Sequence, residues 1–171
     1  SRSSRLRRLF ELLAAVALAA VVAAGSLSYF SPNFLSYGDA AAHLNIARRI
    51  VDSKTPGYEQ IGTVWLPLPH LAMAPFVRWD GWWQSGLAGA IPSAAAFVVA
   101  AGFLFASLRY ALSSLPAWTA LLLFLLNPNA LYLGSIPMTE PYFLATLFAT
   151  LYSALRASKE DKPGWAAAAG I

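Results

Sequence analysis

The chain has 171 residues, 58% of them hydrophobic and 12% charged, with a mean hydropathy of +0.55. A soluble domain carries roughly 25% charged residues, so the composition argues against an ordinary soluble globule and for an all-α membrane protein. The net charge of +4 does not signal nucleic acid, because the basic residues gather at the ends of apolar runs, and the absence of cysteine excludes disulfides, thiolate metal sites and cysteine nucleophiles.

A membrane span requires about 20 mostly apolar residues, since the hydrocarbon core is ~30 Å thick and a helix rises ~1.5 Å per residue. Arg2, Arg5, Arg7 and Arg8 precede the first such run, which predicts a span over 9–30. A secretory signal peptide has the same basic start, and Ala23-Ala24-Gly25 resembles a cleavage site. The length of the run and the runs that follow it favour a span. The positive-inside rule then puts the N-terminus in the cytoplasm. Residues 31–85 form a polar-studded outer loop, and 86–110, 116–134 and 137–155 read as three further spans. Arg109 at the inner end of the second span, and Arg156, Lys159 and Lys162 after the fourth, obey the same rule. A cytoplasmic loop over 156–164 leads to the start of a fifth span at 165–171. The chain begins without Met and stops inside an apolar run, as expected of a fragment of a larger multi-pass protein of the plasma (inner) membrane. The predicted fold is a polytopic helical bundle whose outer loop carries interfacial amphipathic helices.

The acidic residues sort by position. Glu11, Glu160 and Asp161 belong to the cytoplasmic ends, and Asp52, Glu59 and Asp80 to the watery outer loop. Asp39 and Glu140 remain, at the outer ends of the first and fourth spans, near the same membrane surface. Ionisable groups placed so are functional hypotheses by default. A helix over 39–52 puts Asn45, Arg48, Arg49 and Asp52 on one polar, solvent-facing arc. Asp39 and His43, spaced i,i+4, fall on the opposite apolar arc, turned toward protein or lipid. The structural alternative for Asp39 is a helix N-cap. Further on, Pro67-Leu68-Pro69-His70 interrupts an apolar stretch over 64–76 and is expected to prevent a regular helix there. His70 is either a substrate or metal ligand or a structural hydrogen-bonder. Trp79, Trp82 and Trp83 read as interface anchors, and Asn127-Pro128-Asn129 as a stop signal. Glu140 sits in Pro137-Met138-Thr139-Glu140-Pro141, which is also an ordinary helix start.

Tyr37-Gly38-Asp39 after the first span, then His43 and Ala47-Arg48, then Trp65-Leu66-Pro67-Leu68-Pro69-His70, and finally Met138-Thr139-Glu140-Pro141 occur in an order that carries a resemblance. The chain resembles the N-terminal part of a GT-C-fold membrane glycosyltransferase, the superfamily of the protein O-mannosyltransferases and the lipid A aminoarabinose transferases. The resemblance implies transfer of a sugar from a polyprenyl-phosphate carrier at the outer membrane face, usually with inversion. It makes Asp39 the catalytic first-loop acid, acting as general base, and Glu140 a second acid beside it. It also makes Asp39 and Glu140 candidate ligands for a divalent metal ion, and Tyr37, His43, His70, Arg48, Arg49 and Glu140 candidate substrate contacts. Two departures stand out: Ala40 follows Asp39 where many members carry a second acid, and Trp65-Leu66-Pro67 stands where some have Glu-Lys-Pro. The implied partners are the lipid bilayer and a polyprenyl-phosphate-sugar donor, with room for partner subunits and no nucleic acid. A non-enzymatic subunit of a membrane complex and a transporter fragment are the alternatives.

Overall fold

The computed structural model describes residues 2–160 and 162–170; Ser1, Asp161 and Ile171, the last two assigned above to the inner loop and the fifth span, lie outside them. Among the described residues every regular element is helical. Helix α1 (Arg2–Phe30) ends in a short 3₁₀ turn and is followed by α2 (Gly38–Val51), α3 (Pro67–Met73) and α4 (Asp80–Ser85). The long α5 (Leu87–Ala111) leads to α6 (Ser114–Leu125), α7 (Pro128–Gly134), α8 (Glu140–Ala157) and α9 (Pro163–Ala169). Of these, α1 and α5 are long and apolar enough to cross a membrane, and α6 with α7 makes a third if the bent pair counts as one span. The polar and charged residues of α8, Glu140 and Arg156 at its ends above all, keep it out of that set although it has 18 residues.

Helix α5 is the central element, flanked by α1 on one side and α8 on the other. Ala15, Ala19 and Ala23 recur every fourth residue on α1 and meet Ala94, Phe97, Ala101 and Phe105 of α5 and Leu121 of α6. Where lipid replaces water there is little hydrophobic drive between helices, so small side chains that let backbones approach are what make such packing favourable. At one end of this bundle Glu11 ties three helices together. Its carboxylate accepts from Arg109 Nε of α5 at 2.6 Å, from Arg7 at 3.1 Å and from the Ser114 hydroxyl of α6 at 3.1 Å.

The other end is capped by α2, α3 and α4. Ala40, His43, Leu44 and Ala47 recur at helical spacing and bury one face of α2. Leu44 and Ala47 pack with Met73, Val77, Ala88, Ala96 and Tyr142, so this small core joins α2 and α3 to α5 and the first turn of α8. Two expectations change here. The stretch 64–76 does contain a helix, because Pro67 takes the first helical position and Pro69 the first turn, where backbone N–H groups lack an intrahelical acceptor anyway. The span expected over 116–134 is two helices meeting at 63°. Pro128 cannot continue the α6 hydrogen-bond ladder, and the Asn127 side chain accepts from Ala130 N at 3.0 Å to start α7.

Gly89 of α5 sets how closely the 135–139 segment lies on the bundle. A Cβ there would sit 2.5 Å from Pro137 Cβ and 3.1 Å from Leu44 Cδ1. We expect Gly89→Ala to destabilise the fold by about 1–3 kcal/mol, the usual cost of forcing a methyl into a packed interior. A lowered thermal unfolding midpoint checks it, and an unchanged midpoint would show that Pro137 yields freely.

Candidate active site

Two histidines meet inside the cap. His43 comes from the middle of α2 and His70 from α3, and both side chains are buried, at 2% and 0% relative exposure. His43 Nδ1 lies 3.1 Å from His70 Nε2, and His70 Nδ1 lies 2.9 Å from the Leu66 carbonyl oxygen. The tautomers follow by elimination. A carbonyl oxygen only accepts, so His70 Nδ1 carries the proton and donates to Leu66. In the neutral ring His70 Nε2 is then an acceptor, and His43 Nδ1 donates to it. That leaves His43 Nε2 as a lone pair, with no hydrogen-bond partner among the described residues. The indole of Trp65 meets the His43 ring edge-on, with centroids 4.7 Å apart, and closes one side of it.

Burial pushes the pKa of both imidazoles down, since a charge is poorly solvated there. For His43 the carboxylates of Asp39 and Glu140 work in the opposite direction, and for His70 the Leu66 carbonyl does, while His43 adds to the lowering. Both rings are therefore neutral near pH 7, and the two carboxylates singled out in the sequence both act on one imidazole. Asp39 stands on the second residue of α2, exposed, and makes no hydrogen bond with the described residues. Glu140 opens α8, and its Oε2 is buried without a hydrogen-bond partner among them.

Several expectations are corrected at this site. Asp39 is not the N-cap of α2; Tyr37 holds that position without a side-chain cap, itself 44% exposed. Asp39 is not turned inward with His43 either: the first turn of α2 buries Ala40 against Phe34, Ala90, Ile136 and Met138 and leaves the Asp39 side chain exposed. Arg48 falls on the solvent-facing arc of the helical wheel, yet its guanidinium is engaged on three sides. It donates to the Val77 carbonyl and to Asp52, pairs with Asp80 at 2.8 Å, and lies 5.0 Å from the Trp83 ring centroid. Trp83 is likewise drawn inward from a bare anchor role, donating to Asn45 Oδ1 at 3.2 Å. Arg48 thus fastens α2 to α4 rather than waiting for phosphate. Arg49 makes one long contact, 3.4 Å to the Gln60 carbonyl, and stays exposed. We expect Arg48→Ala to cost about 1.5–3 kcal/mol of stability, as for a hydrogen-bonded charge, and Arg49→Ala to leave the unfolding midpoint unchanged. Chemical denaturation of the two variants side by side reads this out.

Among the described residues no group of three or more His, Asp or Glu is arranged to hold one ion, and the facing nitrogens of the two imidazoles are spent on each other. Three contributors were missed in the sequence. Trp65 opens the motif that ends in His70, and no local signal marks it as a cover for His43. Ser93 of α5 bonds Met138 O and N, each at 3.4 Å, and so helps fix the approach to Glu140. Tyr142, in the first turn of α8, packs in the small core under α2. Comparison with models of known protein families, with curated proteins and with solved structures returned no match.

What the arrangement can do is take up a proton. The exposed Asp39 carboxylate and the lone pair of His43 are two bases at the same end of the bundle. A proton accepted at His43 Nε2 creates a charge that Asp39 and Glu140 both stabilise. The chain Leu66–His70–His43 fixes the ring that would receive it.

Proposed function

We propose that the chain is the front part of a multi-pass membrane glycosyltransferase that moves a sugar from a polyprenyl-phosphate carrier to an acceptor at the outer membrane face. The observation that carries this reading is the convergence of Asp39 and Glu140 on the buried His43–His70 pair, at the end of the bundle away from the arginine-rich terminus. Two further features support it. An apolar groove of about 520 Å³ begins at Tyr142 and Leu68 and runs down α5 past Ile91, Ala95 and Val99, which suits an isoprenoid chain entering from the side. The motif order described above adds the sugar chemistry.

In this reading Asp39 takes the proton of the acceptor hydroxyl, whose oxygen attacks the anomeric carbon. The new glycosidic bond forms as the bond from that carbon to the phosphate oxygen breaks, and polyprenyl phosphate leaves with the electron pair. The His43–His70 pair fastens α3 to α2, the helix that carries Asp39. Arg49, exposed and loosely held on the helix that carries Asp39, is a cation at this end free to meet phosphate. Membranes carrying the full-length protein should transfer label from a polyprenyl-phosphate sugar, and membranes from a strain lacking it should not. Equal transfer in both would remove the proposal.

The 63° break between α6 and α7 favours a second reading, a transporter, since broken helices line transport paths. It ranks lower because Asn127 engages two of the N–H groups at the start of α7, its side chain accepting from Ala130 N and its carbonyl from Leu131 N.

A further inference from the structure

The arginine-rich end of the bundle contains a second, larger concavity. Helices α1, α5 and α8 surround a cleft of about 800 Å³, lined among the described residues by the cations Arg5, Arg8, Arg109, Arg156 and Lys162 against one carboxylate, Glu160. The ion pairs within it are unequal. Glu11 takes up Arg109, and Glu160 takes up Arg156 and, at 3.9 Å, Lys162. Arg5 and Arg8 are exposed and make no ion pair among the described residues, so among those residues the cleft has two cations without counterions.

Its walls change character along α5. The floor passes through Leu9, Leu12 and Ala106 into a second groove of about 310 Å³, lined by Val16, Val98, Gly102 and Phe103 and almost wholly apolar. Leu12, Ala106 and Tyr152 line both spaces, so the two adjoin. Gly102 keeps the passage shallow, since a Cβ there would stand 3.3 Å from Val16 Cγ2. Tyr110 and Tyr152 sit at the boundary, where amphipathic rings mark headgroup level. A soluble anion would satisfy the arginines and leave the apolar half wet. A zwitterionic headgroup would leave the surplus positive charge unopposed.

We propose that this cleft is a binding site for one anionic phospholipid, its phosphate between Arg5 and Arg8 and one acyl chain laid along the Val16–Gly102 groove. The proposal rests on the membrane part of the reading above and is independent of sugar transfer. Bound lipid would bridge α1 to α8, holding the arginine-rich end together while the opposite end exchanges substrate.

The test is ligand-induced stabilisation of the full-length protein purified in a neutral detergent. Dioleoyl phosphatidylglycerol should raise the unfolding midpoint in a saturable way, while dioleoyl phosphatidylcholine and inorganic phosphate at equal concentration should not. Arg5→Gln/Arg8→Gln should weaken half-saturation by about 30-fold, taking ~1 kcal/mol for each basic residue facing an anionic lipid. Both side chains are exposed and without an ion pair among the described residues, so this variant keeps its fold. The charge-matched control Lys54→Gln/Arg78→Gln, at the other end, should respond like the parent. Equal stabilisation by phosphatidylcholine, equal stabilisation by phosphate alone, or an unweakened double variant would each overturn the site. Solubility without detergent would instead overturn the membrane reading itself.

Discussion

Asp39→Asn is expected to lower sugar transfer by about 10²–10⁴-fold, the usual contribution of a positioned general base, while leaving the protein folded. The argument rests on how little Asp39 does structurally. Its carboxylate is exposed and accepts no hydrogen bond from the described residues, and Tyr37 holds the cap position. The remaining cost is the interaction of a charge with the first turn of α2, worth about 0.3–1 kcal/mol. A transfer assay on membranes with matched protein levels, paired with an unfolding midpoint, separates the two effects. Activity within threefold of the parent would take Asp39 out of the mechanism. Loss of both activity and folding would give it a structural role instead.

The His43–His70 pair should make stability fall in mild acid. Burial lowers both pKa values below the ordinary histidine value near 6.5, so in acid the unfolded chain binds protons that the folded chain resists. The contribution is therefore complete above about pH 6.5 and declines as the pH falls below it, by up to ~1.4 kcal/mol per pH unit for each histidine. Asp39 and Glu140 soften the decline at His43. Unfolding midpoints from pH 8 to pH 5 would trace it. Two variants sharpen the test. His70→Ala strands the His43 N–H and the Leu66 carbonyl and should cost about 1–3 kcal/mol for each buried group left unpaired. Replacing both rings, His43→Phe with His70→Leu, should cost less than that single change and flatten the pH profile. A flat profile in the parent would contradict the buried neutral pair.

Much of this was legible in the residues alone. The apolar runs and their basic ends mark α1 and α5, because a span is recognised by length and by the cost of charge in lipid, both local properties. The candidates Asp39, His43, His70 and Glu140 could be picked out because acids and histidines are scarce in this chain, so few needed sorting. Local reasoning failed where a neighbour decided the outcome. Arg48 looks solvent-facing on a helical wheel, yet α4 and the Phe76–Arg78 turn lie against that arc and engage it. Asp39 looks inward-facing on the same wheel, yet no element covers it. Pro67 and Pro69 look like helix breakers, but their position in the first turn makes them helix starters.

The pairing of the two histidines belongs wholly to the tertiary structure. They are 27 residues apart, on different helices, and nothing in either segment specifies the other. Only the packing of α2 and α3 over α5 brings Nδ1 to Nε2, and only the Leu66 carbonyl sets which way the protons point. The same holds for Glu11 and Arg109, 98 residues apart, and for the basic cleft that gathers side chains from three helices. Residue chemistry and helical period are written locally and can be read from the chain. Hydrogen-bond direction, burial and the meeting of distant charges depend on which faces pack together, and that is decided by the summed contacts of the whole bundle.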